Sequence, residues 1–397
     1  MHKILFVNGN LKGHFNPTLP VVKELVSRGE EVWYFASEIF KEELESVGAH
    51  FISSGAEIEE FNKNFRSSGN HPFYTLLEYK LKYDIAMVPV LLNRIQNLSF
   101  DVLVYDSYLG GGSFLPSILQ IPSICSATTF ALSRLPIERE QLISGCHPQL
   151  DEFYLVLQKE CARLGVREPD ASEFFASKGD ITLVYTAKEF NPGSEAFGDS
   201  YIFTGPSIGD RQDDMDFPWQ RLTGNPLIYI SMGSINTELA GFYKICLETF
   251  SNTEYQVVMS VGSKIEISSL GNIPGNFILC RQAPQLELLK RCVLFISHGG
   301  LNSINEALYY GVPAIVVPLV NDQFITARQV LTHGLGMSLK FTEITAQLLA
   351  NTVNTILTDT SFQDNCKVFS RISRQAGGYR KAADVIQQME VKNGIKK

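Results

Sequence analysis

The sequence predicts an α/β protein of two domains, each a parallel β-sheet covered by helices. Short β-branched and aromatic runs recur between amphipathic stretches along all 397 residues. Those runs are apolar on both faces instead of alternating, the pattern of strands buried inside a parallel sheet. The plan is laid down twice, with a polar seam between the copies, and the length suits two domains of roughly 200 residues each.

In the first half, strands are predicted at 3–8, 31–36, 49–53, 101–106, 122–126 and 181–186. Between the first two, PTLPVVKELVSRG reads as a helix, with Pro17 in the first turn and Gly29 as the C-terminal cap. The second half repeats the alternation, with strands at 226–231, 254–261, 277–280, 293–297 and 313–318. The seam is GDRQDDMDFPWQRLTGN, which is acidic and rich in turn formers. It separates a first domain at 1–206 from a second at 225–378, with 207–224 as the linker. Asp213, Asp214 and Asp216 lie in this seam and read as solvated linker, not as a metal-binding DxD element. The segment 379–397 reads as a terminal helix, starting near Tyr379, with a basic tail.

Composition narrows the function. At 45% hydrophobic and 19% charged residues the chain buries large cores and is not a disordered one. A net charge of −8 argues against nucleic-acid partners, which need a basic surface to displace counterions. The seven cysteines are odd in number, irregularly spaced and without a CxxC, so they are expected to be reduced thiols with no metal or redox role. No apolar run reaches the 18 or so residues of a membrane span, and ILFV followed by Asn-Gly-Asn is no signal peptide. The expectation is a cytoplasmic protein without stable membrane insertion, monomeric or weakly dimeric.

Two loops stand out. The first is NGNLKGHFNP after the opening strand, where His14 sits between a buried strand and a helix start. Read by itself it is a phosphate loop, a catalytic base or a turn residue. The second is FISHGGLNSINEALYYGVPAIVVPLVNDQ, where a strand runs into a glycine pair and a helix begins near Leu301 or Asn302. Free N–H groups and the positive dipole end at a helix start bind phosphate oxygens. His298, Asn302 and Ser303 add donors, and Glu306 one turn on supplies a carboxylate for ribose hydroxyls.

Taken together, QAPQLELL (282–289), HGGLNSINEAL, GVP (311–313) and NDQ (321–323) resemble the donor-binding signature of the family 1 UDP-dependent glycosyltransferases, which include bacterial macrolide and flavonoid transferases. GHFNP (13–17) resembles that family's catalytic-histidine loop, and GPS (205–207) the Gly-Pro that closes its N-terminal domain. The likeness spans nearly the whole chain.

The resemblance implies a GT-B fold, with Rossmann-like sheets facing an inter-domain cleft, the acceptor on the N-terminal domain and the donor on the C-terminal one. It implies an inverting O-glycosyltransferase that needs neither metal nor other cofactor and moves a hexose, glucose first, from a UDP-sugar to a small hydrophobic acceptor. His298, Gly300, Asn302, Ser303 and Ser234 would hold the diphosphate, Glu306 the ribose, Ala283 and Gln285 would sit beside the base, and Asp322 and Gln323 would hold sugar hydroxyls. His14 would be the general base and Asp106, at a strand end, its partner. The terminal helix would cross back to the N-terminal domain. One departure is Gln282 in place of the plant motif's tryptophan, so Arg281 or Gln282 would lie against the base, and the choice between UDP and dTDP stays open. For the acceptor, the aromatic stretch 61–95 offers Phe61, Phe65, Phe73, Tyr79 and Tyr83, with Gly111 giving room beside the base. Rival readings are a lipid or peptidoglycan-precursor transferase, a UDP-sugar 2-epimerase, and a nucleotide-sugar-binding scaffold without catalysis.

Overall fold

The computed structural model describes residues 1–132, 135, 137–209, 216–233 and 239–389. The chain divides into two compact units, one of Met1–Ser207 joined by the chain from Gly377 onward, the other Ile208–Ala376.

The first unit holds seven parallel strands: β1 (Lys3–Val7), β2 (Glu31–Ala36), β3 (His50–Ser53), β4 (Val102–Asp106), β5 (Ser123–Ala127), β6 (Ile181–Val184) and β7 (Tyr201–Phe203). Their order is β3-β2-β1-β4-β5-β6-β7, so the winding reverses between β1 and β4. One face is covered by helices Pro72–Ile95 and Pro148–Leu164, which bury Leu77, Leu81, Met87, Leu150 and Phe153 against Leu5, Val7 and Leu103. The other face takes helix Thr18–Ser27, through Val21, Val22 and Leu25, and helix Gly378–Gln387. The latter fits because Ala382, Ala383 and Ile386 form its only fully apolar stripe and all three are buried. Burying the Ile386 side chain contributes about 2 kcal/mol, and each alanine methyl about 0.8 kcal/mol. Polar bonds register it: Arg28 Nη1 donates to Asp384 Oδ1 at 2.6 Å, and Gln387 Nε2 to Glu30 Oε1 at 2.6 Å.

The second unit holds six parallel strands: β8 (Leu227–Ser231), β9 (Gln256–Ser260), β10 (Phe277–Cys280), β11 (Cys292–Ser297), β12 (Ala314–Val316) and β13 (Gly336–Ser338). Their order is β10-β9-β8-β11-β12-β13, with the reversal between β8 and β11. Its core joins Ile228, Val257 and Ile296 to Phe242 and Cys246 of helix Ala240–Phe250 and to Leu349 and Val353 of helix Ala346–Thr358.

In open α/β sheets ligands bind outside the carboxyl ends of the strands at the reversal point. Here those ends carry His14 after β1, Asp106 as the last residue of β4, and the 298–300 turn after β11. Two edge strands, β7 and β13, add to the sequence reading. Each has three residues, too few for a periodic run to register, and each is held by pairing with the neighbour inside it. In the seam, Asp213 and Asp214 lie outside the described residues. Among the described residues, no helix is long and apolar enough to cross a membrane.

Candidate active site

The sequence places His14 ahead of a helix; it lies ahead of helix Thr18–Ser27, and is itself held in a single helical turn, Lys12–Phe15. That turn is pinned from below. Phe15 is fully buried, stacking on Phe40 at 4.0 Å between ring centroids, and Asn8 Nδ2 donates to the His14 carbonyl at 3.2 Å. With its neighbour anchored in the core, the imidazole points to β4.

There His14 Nδ1 meets Asp106 Oδ2 at 2.7 Å. Asp106 is 1% exposed, and its Oδ1 accepts the backbone N–H of Tyr108 at 3.0 Å and of Leu109 at 2.7 Å. Thr128 Oγ1 donates to Oδ2 at 3.4 Å. Two readings of this aspartate therefore hold together: it caps the turn after β4 and it faces the histidine. Burial pushes its pKa up, but the His14 charge and hydrogen bond, with the two amides, outweigh burial and hold the carboxyl below its ordinary value. An ionised carboxylate only accepts, so Nδ1 of a neutral His14 carries the proton and the basic lone pair sits on Nε2.

In the second unit, β11 ends at Ser297, and helix Leu301–Tyr309 begins with Gly300 as its N-cap. His298 lies between two glycines. A Cβ at Gly233 would stand 2.8 Å from its Cε1, and one at Gly300 would stand 2.8 Å from its Nε2, so both positions need hydrogen instead of a side chain. Burial drives the His298 pKa down to about 4, against a Ser231 carbonyl bond that pulls the other way. The imidazole is neutral through the physiological range. Below the ordinary value of 6.5 the unfolded chain takes up a proton that the folded one refuses down to about 4. Stability therefore falls as pH drops across that window, by about 2–3 kcal/mol between pH 7.5 and 4.5. His298→Asn is expected to flatten that part of the pH dependence in urea unfolding; an unchanged slope would remove His298 as its source.

Beside this turn, Gln285 Nε2 donates to Glu306 Oε2 at 2.6 Å and approaches Ser303 Oγ at 3.3 Å, while Tyr229 OH reaches Gln285 Oε1 at 3.4 Å. Gln285, Ser303 and Glu306 thus form one polar cluster, with Asn302 on the same helix start and buried Ala283 just before Gln285. Asp322 is the N-cap residue of helix Gln323–Thr332. Gln323 turns its Oε1 to the N–H groups of Leu319 at 2.8 Å and Val320 at 3.1 Å, which commits the oxygen to the backbone and leaves the donor capacity of the side chain on its amide nitrogen. Arg281 is at the surface, bonded to the Ser263 carbonyl at 3.1 Å and to Glu266. Ser234 lies outside the described residues.

The acceptor candidates divide. Phe61, Phe65 and Tyr79 are half-buried and touch one another, with Phe65 and Tyr79 5.0 Å apart edge to face. Tyr83 and Phe73 are 1% and 6% exposed in the core, which corrects their reading as acceptor residues: they pack under the sheet. Gly111 is corrected too. A Cβ there would meet Leu115 and Met87 at 2.9 Å, while Gly110 and Gly112 lie against the Asp106 backbone and the Tyr105 ring, so close packing requires these glycines. Sequence reasoning missed Tyr108. Its ring centroid lies 6.4 Å from those of both His14 and Tyr79, and 6.3 Å from that of Phe175, so it joins His14 to the half-buried aromatics. The available signal was its place two residues beyond Asp106.

Two reversal-point sheets, one ending in a histidine–aspartate pair and one in a glycine turn opening a helix, make up a GT-B fold. Residues 244–390 match the erythromycin biosynthesis protein CIII-like C-terminal domain. The chain is 32% identical over 395 residues to the uncharacterized UDP-glucosyltransferase YojK of Bacillus subtilis strain 168, covering 97% of each. It is 30% identical over 398 residues to the NDP-glycosyltransferase YjiC of the same strain, covering 99% of each. Among solved structures, the glycotransferase of kitacinnamycin superposes with a TM-score of 0.85 at 26% identity over 98% of both chains. The chain belongs to the family 1 glycosyltransferases, and it is an enzyme of that class.

Proposed function

We propose that this chain is an inverting, metal-independent O-glycosyltransferase that moves a hexose, glucose first, from a UDP-sugar to a hydroxyl of a small hydrophobic acceptor. The carrying observation is the 2.7 Å bond between His14 Nδ1 and a buried, ionised Asp106. Inverting transfer needs a base to take the acceptor's proton as the oxygen attacks the anomeric carbon, and a neutral imidazole suits that task near pH 7. Asp106 fixes the tautomer and balances the imidazolium formed. The leaving diphosphate gathers charge, which the start of helix Leu301–Tyr309 and the donors of Asn302 and Ser303 would stabilise without a metal. Glu306 would take the ribose hydroxyls, in exchange for or beside its bond to Gln285.

Support for the donor comes from the names of the Bacillus relatives, which are UDP-glucosyl- and NDP-glycosyltransferases. For the acceptor it comes from the half-buried series Tyr108, Tyr79, Phe61, Phe65 and Phe175, which presents flat apolar faces next to the base. The decisive experiment is a matrix of UDP- and dTDP-sugars against phenolic, flavonoid and macrolide acceptors, with and without EDTA, read by mass spectrometry. A hexose mass added to an acceptor, unaffected by EDTA, is expected. Sugar isomerisation without acceptor, or a strict metal requirement, would refute the reading. Glu306→Ala is expected to raise the donor KM by about tenfold or more through loss of charge-assisted hydrogen bonds. An unchanged KM would refute the ribose role.

A further inference from the structure

Helix Pro72–Ile95 carries a fully buried ion pair that the reaction scheme above does not use. Lys80 and Asp84 are both 0% exposed, with Nζ and Oδ2 3.9 Å apart. Burying such a pair carries a large desolvation penalty, and an apolar pair of similar size would fill the same space. What Lys80 touches accounts for its presence. Its Nζ donates to the carbonyl of Tyr108 at 2.7 Å and lies 3.4 Å from that of Ser107. These carbonyls belong to the two peptide groups whose N–H ends, at Tyr108 and Leu109, donate to Asp106 Oδ1. Two consecutive peptide planes thus carry the ammonium at their oxygen ends and the Asp106 carboxylate at their nitrogen ends. Each charge polarises the amides toward the other, which strengthens both sets of bonds.

Asp84 holds the far end of the same loop. Its Oδ1 accepts the N–H of Gly111 at 3.2 Å, and its Oδ2 has no hydrogen-bond donor and faces the ammonium. Ser177 Oγ adds a bond to the Ser107 carbonyl at 3.0 Å. The turn 107–111 is therefore clamped from beneath at three points, the carbonyls of Ser107 and Tyr108 and the N–H of Gly111, while its upper side presents two amides to Asp106.

We propose that Lys80 is a positioning residue for the His14–Asp106 pair, gripping the two peptide planes that orient the Asp106 carboxylate, with Asp84 as the countercharge that retains the ammonium in the core. This rests on the reading of that pair as the transfer base. Lys80 touches neither substrate nor His14; it acts through the loop.

The test is a mutant cycle on the full chain. The paired substitution Lys80→Met with Asp84→Leu removes both charges together and is expected to keep the fold. Lys80→Met alone is the second variant, and its Asp84, lifted to about 6 mainly by burial, can stay neutral by taking a proton. Either variant is expected to lower kcat about 10- to 100-fold by misplacing the base, with donor KM unchanged because the donor residues lie in the other unit. In an Asp106→Asn background the same substitutions should cost less than about twofold, since residues acting as one unit are not additive. A loss in that background equal to the loss in wild type would overturn the proposal. A readout independent of turnover is the proton resonance of His14 Nδ1–H bonded to Asp106. It should be present in wild type and broadened or shifted in the Lys80 variants. An unchanged resonance there overturns the proposal even if the wild-type chain transfers no sugar, an outcome that would refute the base reading separately.

Discussion

Replacing His14 by alanine is expected to lower kcat by about a thousandfold while UDP affinity stays within twofold. The magnitude is that of losing a positioned general base, about 10²- to 10⁴-fold. The selectivity follows from the architecture. His14 follows β1 in the first unit, whereas Gln285, His298, Ser303 and Glu306 belong to the second, whose core it does not enter. Calorimetric titration with UDP, beside initial rates on a phenolic acceptor, separates the two quantities. A variant with wild-type turnover would refute the assignment. One with lost turnover and weakened UDP binding would show that His14 serves donor binding instead.

The second large effect is expected from Asp106→Asn, for a reason the geometry makes specific. The amides of Tyr108 and Leu109 both donate to Oδ1, so an asparagine must keep its oxygen there and turn its NH₂ toward His14. Nδ1, 2.7 Å away, is then forced to accept, and the ring proton moves to Nε2. The lone pair that should take the acceptor's proton is gone, although nothing has moved. A loss of about 10³- to 10⁴-fold in kcat is expected, the scale of a wrong tautomer in a hydrolase triad. Nitrogen-15 shifts of the His14 ring report the tautomer directly. Activity within tenfold of wild type would reduce Asp106 to a cap for the turn after β4.

Much of this site was legible from the chain because its parts sit where strands end. β1 and β4 announce themselves by apolar runs, and a polar residue at or beyond the end of such a run lies at the carboxyl end of the sheet by construction. His14 and Asp106 are 92 positions apart, and adjacent strands bring them together. What was illegible depended on which face of a helix is buried. Lys80 and Asp84 are spaced i,i+4, the pattern of an exposed ion pair, and only tertiary packing shows that helix Pro72–Ile95 is enclosed at that level. The same ambiguity misplaced Tyr83 and Phe73, since an aromatic stripe signals apolar surroundings without saying whether they are ligand or core. The glycines 110–112 misled for a related reason. Absence of a side chain marks close approach, and here the approaching partner is the protein itself.

The docking of helix Gly378–Gln387 on helix Thr18–Ser27 has a consequence for biosynthesis. The first sheet leaves the ribosome early, yet the apolar strip that Ala382, Ala383 and Ile386 cover is closed only after the whole second unit has been translated. At ordinary elongation rates that interval is on the order of ten seconds or more. Throughout it Val21, Leu25 and their neighbours lack their final cover, so the nascent chain passes through a stage suited to chaperone capture.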